Sequence, residues 1–304
     1  MPLPGKLAAL AEDVSNWGRF GDTDERGTLN HIDDAARRRG AAAVRRGVAF
    51  SLALPLDEDG PQIGAIPGRD NPAREMISVN RTFGAVAFSD DKVTMGLQAA
   101  THWDALAHVS YDGLLYNGFP ADSVDETGAT RCGIDKVGPL VTRGLLLDVA
   151  RLRGVERLEG AVSVGAQDLA AAASAAGVSV EAGDVLLVRT GQMQLLLAGD
   201  REAYGHPSPG IGPNAVAWLH SHDVAAVAVD NMTFEVLPGA DGSYDLPVHG
   251  LLLRDVGMLQ GQNWNLEELA ADCADDGVYE FLLEATPEPF TRACGAPVSP
   301  VALK

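Results

Sequence analysis

Residues 98–108 read Gln98-Ala-Ala-Thr-His-Trp-Asp-Ala-Leu-Ala-His108, which places an amide, two imidazoles and a carboxylate in one short segment. On an extended strand, side chains two positions apart point the same way, so all four polar groups share one face. On a helix, His102 and Asp104 would point about 200° apart. The spacing therefore predicts a strand, or a strand that runs into a loop, whose nitrogen and oxygen atoms converge on a divalent metal ion.

The same four side chains have a second interpretation. Histidine and aspartate close together in sequence can form a hydrogen-bonded structural cluster, and H-x-D spacing alone is a weak signal for a metal. The residues between them are mostly apolar or small, so we expect the polar groups to face the interior. A buried polar group needs a partner, and because a cation would supply one, the composition favours the metal hypothesis.

This segment resembles the H-x-G-T-H-x-D-x-x-x-H signature of the cyclase family of metal-dependent hydrolases, which includes kynurenine formamidases, isatin hydrolases and trans-dienelactone hydrolases. By position, His102, Asp104 and His108 match the signature. Gln98 stands where the first histidine is common, and Ala100 where glycine is common. The trans-dienelactone hydrolase branch is similar in having glutamine here, so the resemblance implies that Gln98 is a variant ligand.

Four further segments extend the resemblance over most of the chain: Asn16–Asn30, Tyr111–Gly118, Val229–Asn231 and Cys294–Pro300. Near the C-terminus the family pattern has a histidine and, about thirteen residues later, a glutamate that helps to hold a second metal in dinuclear members. His249 fits the histidine, whereas Gln262 stands in the glutamate position. The resemblance therefore implies one metal ion in this chain rather than two.

These observations give a set of expected site residues. We expect Gln98, His102 and Asp104 to hold one Zn²⁺ or Mn²⁺, since mixed nitrogen and oxygen ligands suit both ions. His108 is the candidate general base, because the pKa of an imidazole lies near 6.5, or else a fourth ligand. His249 is the second candidate catalytic residue, either holding the leaving group or acting as a ligand.

The expected function is a metal-dependent hydrolase that opens a small lactone, lactam or N-acyl amide with metal-activated water. Two alternatives stay open. The glutamines at the ligand positions also suit a cyclase or dehydratase acting on a biosynthetic intermediate. They also suit a relative that binds a ligand without catalysis.

Composition narrows the classes of partner. The net charge of −19 excludes nucleic acid and anionic membrane surfaces as expected partners, because there is no basic patch to bind phosphates. No apolar run approaches the ~20 residues of a membrane span. The three cysteines form no C-x-x-C pair, and the N-terminal residues do not look like a signal peptide. We therefore expect a cytoplasmic enzyme with a small-molecule carbonyl substrate.

Hydrophobic patterning predicts an α/β fold, with strands over 48–54, 77–88, 92–97, 143–149, 184–189 and 224–230, helices over 32–45, 166–176 and 213–222, and a long loop over 57–74. We expect an N-terminal arm over residues 1–45 and one hydrolase domain over residues 46–304. The family resemblance implies a swivelling β/α/β-type single domain with a mixed sheet, assembled as a homodimer or homotetramer.

Overall fold

The structure is a computed structural model that describes residues 5–239, residue 242 and residues 245–304. Its strands, in chain order, are β1 (Ala49–Ser51), β2 (Ala73–Phe83), β3 (Val86–Thr94), β4 (His102–Asp104), β5 (Val124–Asp125), β6 (Gly128–Ala129), β7 (Val141–Asp148), β8 (Ser163–Val164), β9 (Val185–Arg189), β10 (Gly210–Ile211), β11 (Ala226–Val229), β12 (Leu259–Gln262), β13 (Glu280–Glu284), β14 (Gly295–Pro297) and β15 (Val301–Leu303).

Its α-helices are α1 (Gly5–Asp13), α2 (Asp34–Ala42), α3 (Val149–Leu152), α4 (Ala166–Ala175), α5 (Met193–Leu197), α6 (Arg201–Gly205), α7 (Pro213–Ser221), α8 (Pro247–His249) and α9 (Glu267–Asp276). Short 3₁₀ turns occupy Gly27–His31, Tyr116–Gly118, Ala121–Ser123 and Ile134–Lys136, and α8 continues into a π-helix over Gly250–Val256.

Nine strands form one mixed sheet in the order β1-β15-β13-β7-β9-β11-β12-β4-β14. The central strands β7, β9, β11 and β12 are parallel, and the strands on either side are antiparallel. Each parallel step is bridged by a helical connection, as a parallel pair requires. The sequence-based expectation of an α/β fold with a mixed sheet is confirmed.

Alternate residues of the central strands feed two different cores, one on each face of the sheet. Leu146 of β7 and Leu187 of β9 pack with Trp103 and helix α9 on one face. Leu145 and Leu186 pack on the other face, against α4 and α7. Because both faces are buried, these strands are continuously apolar, and that is why their positions were predictable from sequence.

The predicted strand through residues 98–108 is much shorter in the structure. Only His102–Asp104 pairs, between β12 and β14. A turn closes from Ala99 N–H to the Gly96 carbonyl before β4, and another from His108 N–H to the Ala105 carbonyl after it. Gln98 and His108 therefore do not share a strand face with the middle residues, and they reach their positions through turns.

The predicted strands over 77–88 and 92–97 are wrong in their boundaries. The structure instead forms a hairpin of β2 and β3 that turns at Gly84, where φ is +60°. Its second strand ends at Thr94, before the turn that leads to Gln98. The sequence lacks an Asn-Gly or Asp-Gly pair at this turn, so the strongest short-range signal for a hairpin was absent.

The other predicted elements are confirmed within a few residues. They are β1, β7, β9, β11, α2, α4 and α7, together with the loop that follows residue 57. Helix α2 begins where Asp33 accepts a hydrogen bond from Ala36 N–H at 2.8 Å, an N-cap contact. The residues before it also pack on the main body, since Asn16 donates to the Val256 carbonyl at 2.9 Å. The domain boundary at residue 45 stays a prediction.

Of the helices in the described ranges, none has both the length and the apolar character needed to cross a bilayer.

Candidate active site

Strand β4 presents His102 and Asp104 on one face of the sheet, and both side chains are buried. In register, His102 lies opposite Gln262 of β12, and Asp104 lies opposite Gln260 of β12 and Gly295 of β14. Trp103 points to the opposite face and packs edge-on against Trp264 with ring centroids 4.9 Å apart. The alternation of the strand therefore separates the polar site from the apolar core.

The orientation of His102 is fixed by its backbone neighbour. Its Nδ1 lies 2.7 Å from the Ala100 carbonyl oxygen, which can only accept, so Nδ1 carries a proton, and in the neutral ring Nε2 presents a lone pair. Nε2 lies 3.5 Å from Asp104 Oδ1, another acceptor. Both atoms are buried and have no hydrogen-bond partner among the described residues. With the neutral ring of His102, these two atoms are buried acceptors that face each other, and they repel unless a cation lies near them.

His108 approaches the same oxygen from the turn after β4. Its Nε2 is 3.7 Å from Asp104 Oδ1, and 22% of its side chain is exposed. Burial lowers the pKa of His108, while the Asp104 carboxylate opposes that shift. Burial alone would raise the pKa of Asp104, but the positive charge that the imidazoles of His108, His102 and His249 carry when protonated holds it well below the ordinary value. The site thus contains an ionised carboxylate beside an imidazole that favours its neutral form.

His249 enters the site from α8, and it has a partner that the sequence did not reveal. Its Nδ1 lies 2.6 Å from Glu235 Oε1, and its Nε2 lies 3.9 Å from Asp104 Oδ2. Glu235 is buried and also accepts the backbone N–H groups of Val248 and His249. Glu235 and His249 are 14 residues apart in the chain, and no spacing rule pointed to Glu235. The carboxylate holds the His249 ring so that its Nε2 lone pair faces the site.

Gln262 connects the two halves of the site. Its amide nitrogen donates to Asp104 Oδ2 at 2.7 Å and lies 3.2 Å from His249 Nε2. Since both neighbours are acceptors, the two amide hydrogens of Gln262 are both used. The second carboxylate oxygen of Asp104 is therefore already paired, which leaves Oδ1 as the atom without a partner.

Gln98 is placed differently from the other expected ligands. It lies half-buried in the turn before β4, with its amide nitrogen packed over Gly295, where an added Cβ would lie 2.7 Å away. The structure therefore brings His102, Asp104, His108 and His249 together. Gln98 lies in the turn before them and has no hydrogen bond to His102, Asp104 or His108 in the described ranges.

The polar atoms of the site suit a divalent cation in their chemistry. Across residues 5–239, 242 and 245–304, no three His, Cys, Asp or Glu side chains already stand in the arrangement of a complete metal site. The chemistry of the individual atoms nevertheless fits: a neutral imidazole nitrogen and an ionised carboxylate oxygen, both buried and both lacking another partner. The pair His102 Nε2 and Asp104 Oδ1 is the most suitable starting point for a cation site.

Arg69 is a second residue that the sequence did not single out. It lies half-buried in the loop before the hairpin, where its backbone packs against Gly96. Burial lowers its pKa and the Asp104 carboxylate opposes the shift, while the Arg69 charge in turn lowers the pKa of His108. Among the described residues, Arg69 has no ion-pair partner. A single arginine in a Pro- and Gly-rich loop gives no sequence signal of such proximity.

Comparison with known proteins identifies similar chains. The model of the Cyclase family, described as "Putative cyclase", matches residues 50–236. A crystal structure described as a novel cyclase is 36% identical, with a TM-score of 0.88, and the alignment covers 95% of this chain and 99% of that one. No curated protein matches the chain.

More distant structures share the fold. Isatin hydrolase A from Ralstonia solanacearum is 20% identical with a TM-score of 0.62, and the alignment covers 86% of this chain and 92% of that one. A protein described as a "predicted metal-dependent hydrolase" from Bacillus stearothermophilus is 16% identical with a TM-score of 0.52, and the alignment covers 85% and 98% of the two chains. The fold class expected from the sequence agrees with these structures.

Proposed function

The chain belongs to the cyclase family, and we propose that it is a metal-dependent hydrolase that opens a small lactone, lactam or N-acyl amide. One observation carries this proposal. His102 Nε2 and Asp104 Oδ1 face each other at 3.5 Å inside the protein, and neither has a hydrogen-bond partner among the described residues. An arrangement that is unfavourable without a cation is the one expected of residues that bind a cation.

Under this proposal His102 and Asp104 hold one Zn²⁺ or Mn²⁺, with Gln98 as a third protein ligand. The ion, when bound, lowers the pKa of water and polarises a substrate carbonyl. A single ion is favoured because Gln262 already donates to the other oxygen of Asp104 at 2.7 Å. A neutral amide that donates a hydrogen bond at this position supplies no second carboxylate to share another cation.

The surrounding residues have distinct proposed roles. His108 is the general base, because burial favours its neutral form and its partial exposure leaves a path for the proton to solvent. His249 presents an Nε2 lone pair, so it accepts a hydrogen bond or a proton from the substrate. Glu235 stabilises the imidazolium that would result, because its carboxylate lies 2.6 Å from His249 Nδ1.

The substrate is proposed to be a small neutral carbonyl compound whose product is a carboxylate. Hydrolysis of a lactone, lactam or N-acyl amide creates a product carboxylate close to the Asp104 carboxylate. A nearby positive charge would reduce the repulsion between the two. Arg69 is a half-buried cation whose charge interacts with that of Asp104. It has no ion-pair partner in the described ranges. Its guanidinium is suited to bind the carboxylate of the product as it forms.

The three cysteines are free thiols, which supports a reducing cytoplasmic setting.

The test is elemental analysis of the purified protein together with a carbonyl-substrate screen. We expect about one equivalent of zinc or manganese in the wild type and none in a His102→Ala, Asp104→Ala variant. The matched control is His31→Ala, Asp223→Ala, which removes a His–Asp pair 3.3 Å apart outside the site. This control should keep both metal and turnover.

Two results would count against the proposal. A wild-type protein that binds no metal after reconstitution would remove the basis of the mechanism. Stoichiometric metal without turnover on any lactone, lactam or N-formyl amide would instead favour a ligand-binding relative.

A further inference from the structure

Two buried asparagines lie where neighbouring strands of the sheet end, and the proposed mechanism uses neither of them. Asn263 follows β12 directly, and Asn231 lies two residues beyond the end of β11. Neither residue is exposed to solvent. Because β11 and β12 are parallel, their carboxyl ends meet at one edge, and the Asn263 backbone N–H donates to the Asn231 carbonyl at 2.9 Å. The backbones of the two residues are therefore held next to each other.

Each polar group of Asn263 has a partner. Its side-chain nitrogen donates to the Ala100 carbonyl at 3.0 Å, and its side-chain oxygen accepts the Tyr204 hydroxyl at 2.7 Å. Its backbone carbonyl accepts the Thr101 hydroxyl at 2.6 Å. Its backbone is left-handed, with φ at +59°, a conformation that asparagine adopts more readily than most residues. These contacts fix the direction of the side-chain amide.

The hydrogen bond from Asn263 to Ala100 bears on the candidate site. The same Ala100 carbonyl accepts the Nδ1–H of His102 at 2.7 Å, and this contact selects the tautomer whose Nε2 lies 3.5 Å from Asp104 Oδ1. The carbonyl oxygen can accept both donors because it has two lone pairs. Asn263 therefore fixes the direction of that carbonyl, and with it the ring of a proposed metal ligand.

Asn231 has a corresponding position on the other side of the site. Its side-chain oxygen accepts the backbone N–H groups of Phe234 at 2.7 Å and Thr233 at 3.2 Å. Phe234 is left-handed, with φ at +62°, which is costly for a bulky residue. The turn held in this way presents Glu235, whose carboxylate lies 2.6 Å from His249 Nδ1. The Phe234 ring also packs edge-on against the His249 ring, with centroids 6.0 Å apart.

We propose that Asn263 and Asn231 are positioning residues, which hold the rings of His102 and His249 in the tautomers that present Nε2 to the site. Each asparagine acts through a group beside its histidine and needs no contact with metal or substrate. The effect of Asn263 on metal binding rests on the proposed function. The ring tautomers do not, because they can be measured without metal or substrate.

The first measurement is the tautomer of each ring, read from nitrogen NMR chemical shifts of the metal-free protein and assigned with His102→Ala and His249→Ala. In the wild type both rings should carry the proton on Nδ1. Asn263→Gly removes the side chain and keeps the left-handed backbone free of strain, so His102 should then show a mixture of tautomers. Asn231→Ala should have this effect on His249. Each variant should leave the other ring unchanged.

Asn117→Gly is the matched control, since Asn117 is also left-handed at +59° and its side chain makes hydrogen bonds with Gly18, Gly21 and Asp24 away from the site. It should leave both tautomers as in the wild type. Tyr204→Phe is a milder variant, because it removes only the hydroxyl that holds the Asn263 side chain. It should change the His102 ring in the same direction as Asn263→Gly, even if the latter folds poorly.

The second measurement is the Kd for zinc, obtained by competition with a chromogenic chelator. Asn263→Gly should raise this Kd by about 10–100-fold, as is typical when a residue that orients a metal-binding histidine is removed. Asn117→Gly should not change it. If the tautomers change as expected while the wild type binds no zinc, the positioning role is supported and the proposed metal site is not.

Two results would overturn the positioning role. One is a single Nδ1–H tautomer at His102 in both Asn263→Gly and Tyr204→Phe. The other is a loss of both tautomers in either asparagine variant, because this would indicate a general defect of the fold in place of two separate contacts.

Discussion

Glu235 and His249 act as one unit in this structure. The Glu235 carboxylate accepts three N–H groups: the ring Nδ1 and the backbone of His249, and the backbone of Val248. Both oxygens of Glu235 accept hydrogen bonds. A glutamine at this position would therefore place its NH₂ group against an N–H donor of Val248 or His249. The pair holds a single tautomer of His249, and this tautomer places the lone pair in the site.

Glu235→Gln should therefore lower kcat by roughly 10–100-fold with little change in KM, as for other residues that orient an active-site histidine. Steady-state kinetics on any substrate found in the screen would show this split. In a His249→Ala background the same substitution should have no further effect on kcat. An additional loss in that background would mean that Glu235 acts on the fold and not through His249.

Gln262 determines the number of metal ions under the proposed function. Gln262→Glu replaces a donor with a carboxylate beside Asp104, and two carboxylates at this distance repel. We expect a second equivalent of metal by elemental analysis and a thermal midpoint that rises more with added metal than in the wild type. Gln192→Glu is the control, because Gln192 is equally buried and donates to backbone carbonyls away from the site. A single equivalent in Gln262→Glu would show that charge at this position does not set the stoichiometry.

Asp230 allows a test of pH dependence that is separate from the candidate site. Burial raises its pKa to about 6, although its carboxylate accepts hydrogen bonds from the Thr190 backbone, the Thr190 hydroxyl and the Gly191 backbone. A raised pKa means that the folded state binds the proton more tightly than the unfolded state. Its contribution to stability is therefore present at low pH and is lost as pH rises through about 6.

Urea unfolding of the wild type and Asp230→Asn at pH 5 and pH 8 measures this effect. The wild type should lose about 1 kcal/mol relative to the variant between these two pH values. The loss of hydrogen-bond acceptors makes the variant less stable at both. If the wild type instead gained stability relative to Asp230→Asn as pH rises, the folded protein would favour the ionised carboxylate.

At the scale of elements, the packing of β12 against β4 positions the site. Gly261 lies between Trp103 and Trp264, and an added Cβ there would come within 2.7 Å of Ala228 Cβ and of the Trp264 ring nitrogen. Gly261→Ala should therefore displace β12, reduce the free energy of unfolding by about 1–3 kcal/mol and weaken metal binding through Gln262. Gly5→Ala is the control, since nothing lies within 4 Å of its added Cβ. Wild-type metal affinity in Gly261→Ala would show that the site tolerates movement of β12.

Some of these elements and site residues were predictable from the sequence, and others were not. Strands β7, β9 and β11 were predictable because burial on both faces makes them continuous apolar segments. The hairpin of β2 and β3 was divided wrongly, because its apolar residues face outward and mark no core face. His102 and Asp104 were found by spacing within one segment. Glu235 and Arg69 were missed, since their proximity to the site depends on contacts between distant loops.

At the scale of the whole molecule, metal and stability should be coupled. The site buries Asp104 beside lone pairs of two imidazoles, so a bound cation stabilises the folded state over the unfolded one. At a metal concentration 1,000 times Kd the gain is about 4 kcal/mol. Chelation should therefore lower the thermal midpoint of the wild type and leave that of His102→Ala, Asp104→Ala unchanged. Equal midpoints of wild type with and without chelator would contradict a site in this position.

The position of β4 between β12 and β14 also has a consequence for synthesis of the chain. Asp104 and Gln262 are separated by 158 residues, so the ribosome makes the first long before the second. At about 5–20 residues per second, β4 is synthesised roughly eight to thirty seconds before β12. During that interval both edges of the strand, which carries His102 and Asp104, lack their partner strands. Under the proposed function, a metal ion can be held at this strand in its final geometry only after residue 262 has been made and β12 has paired with β4.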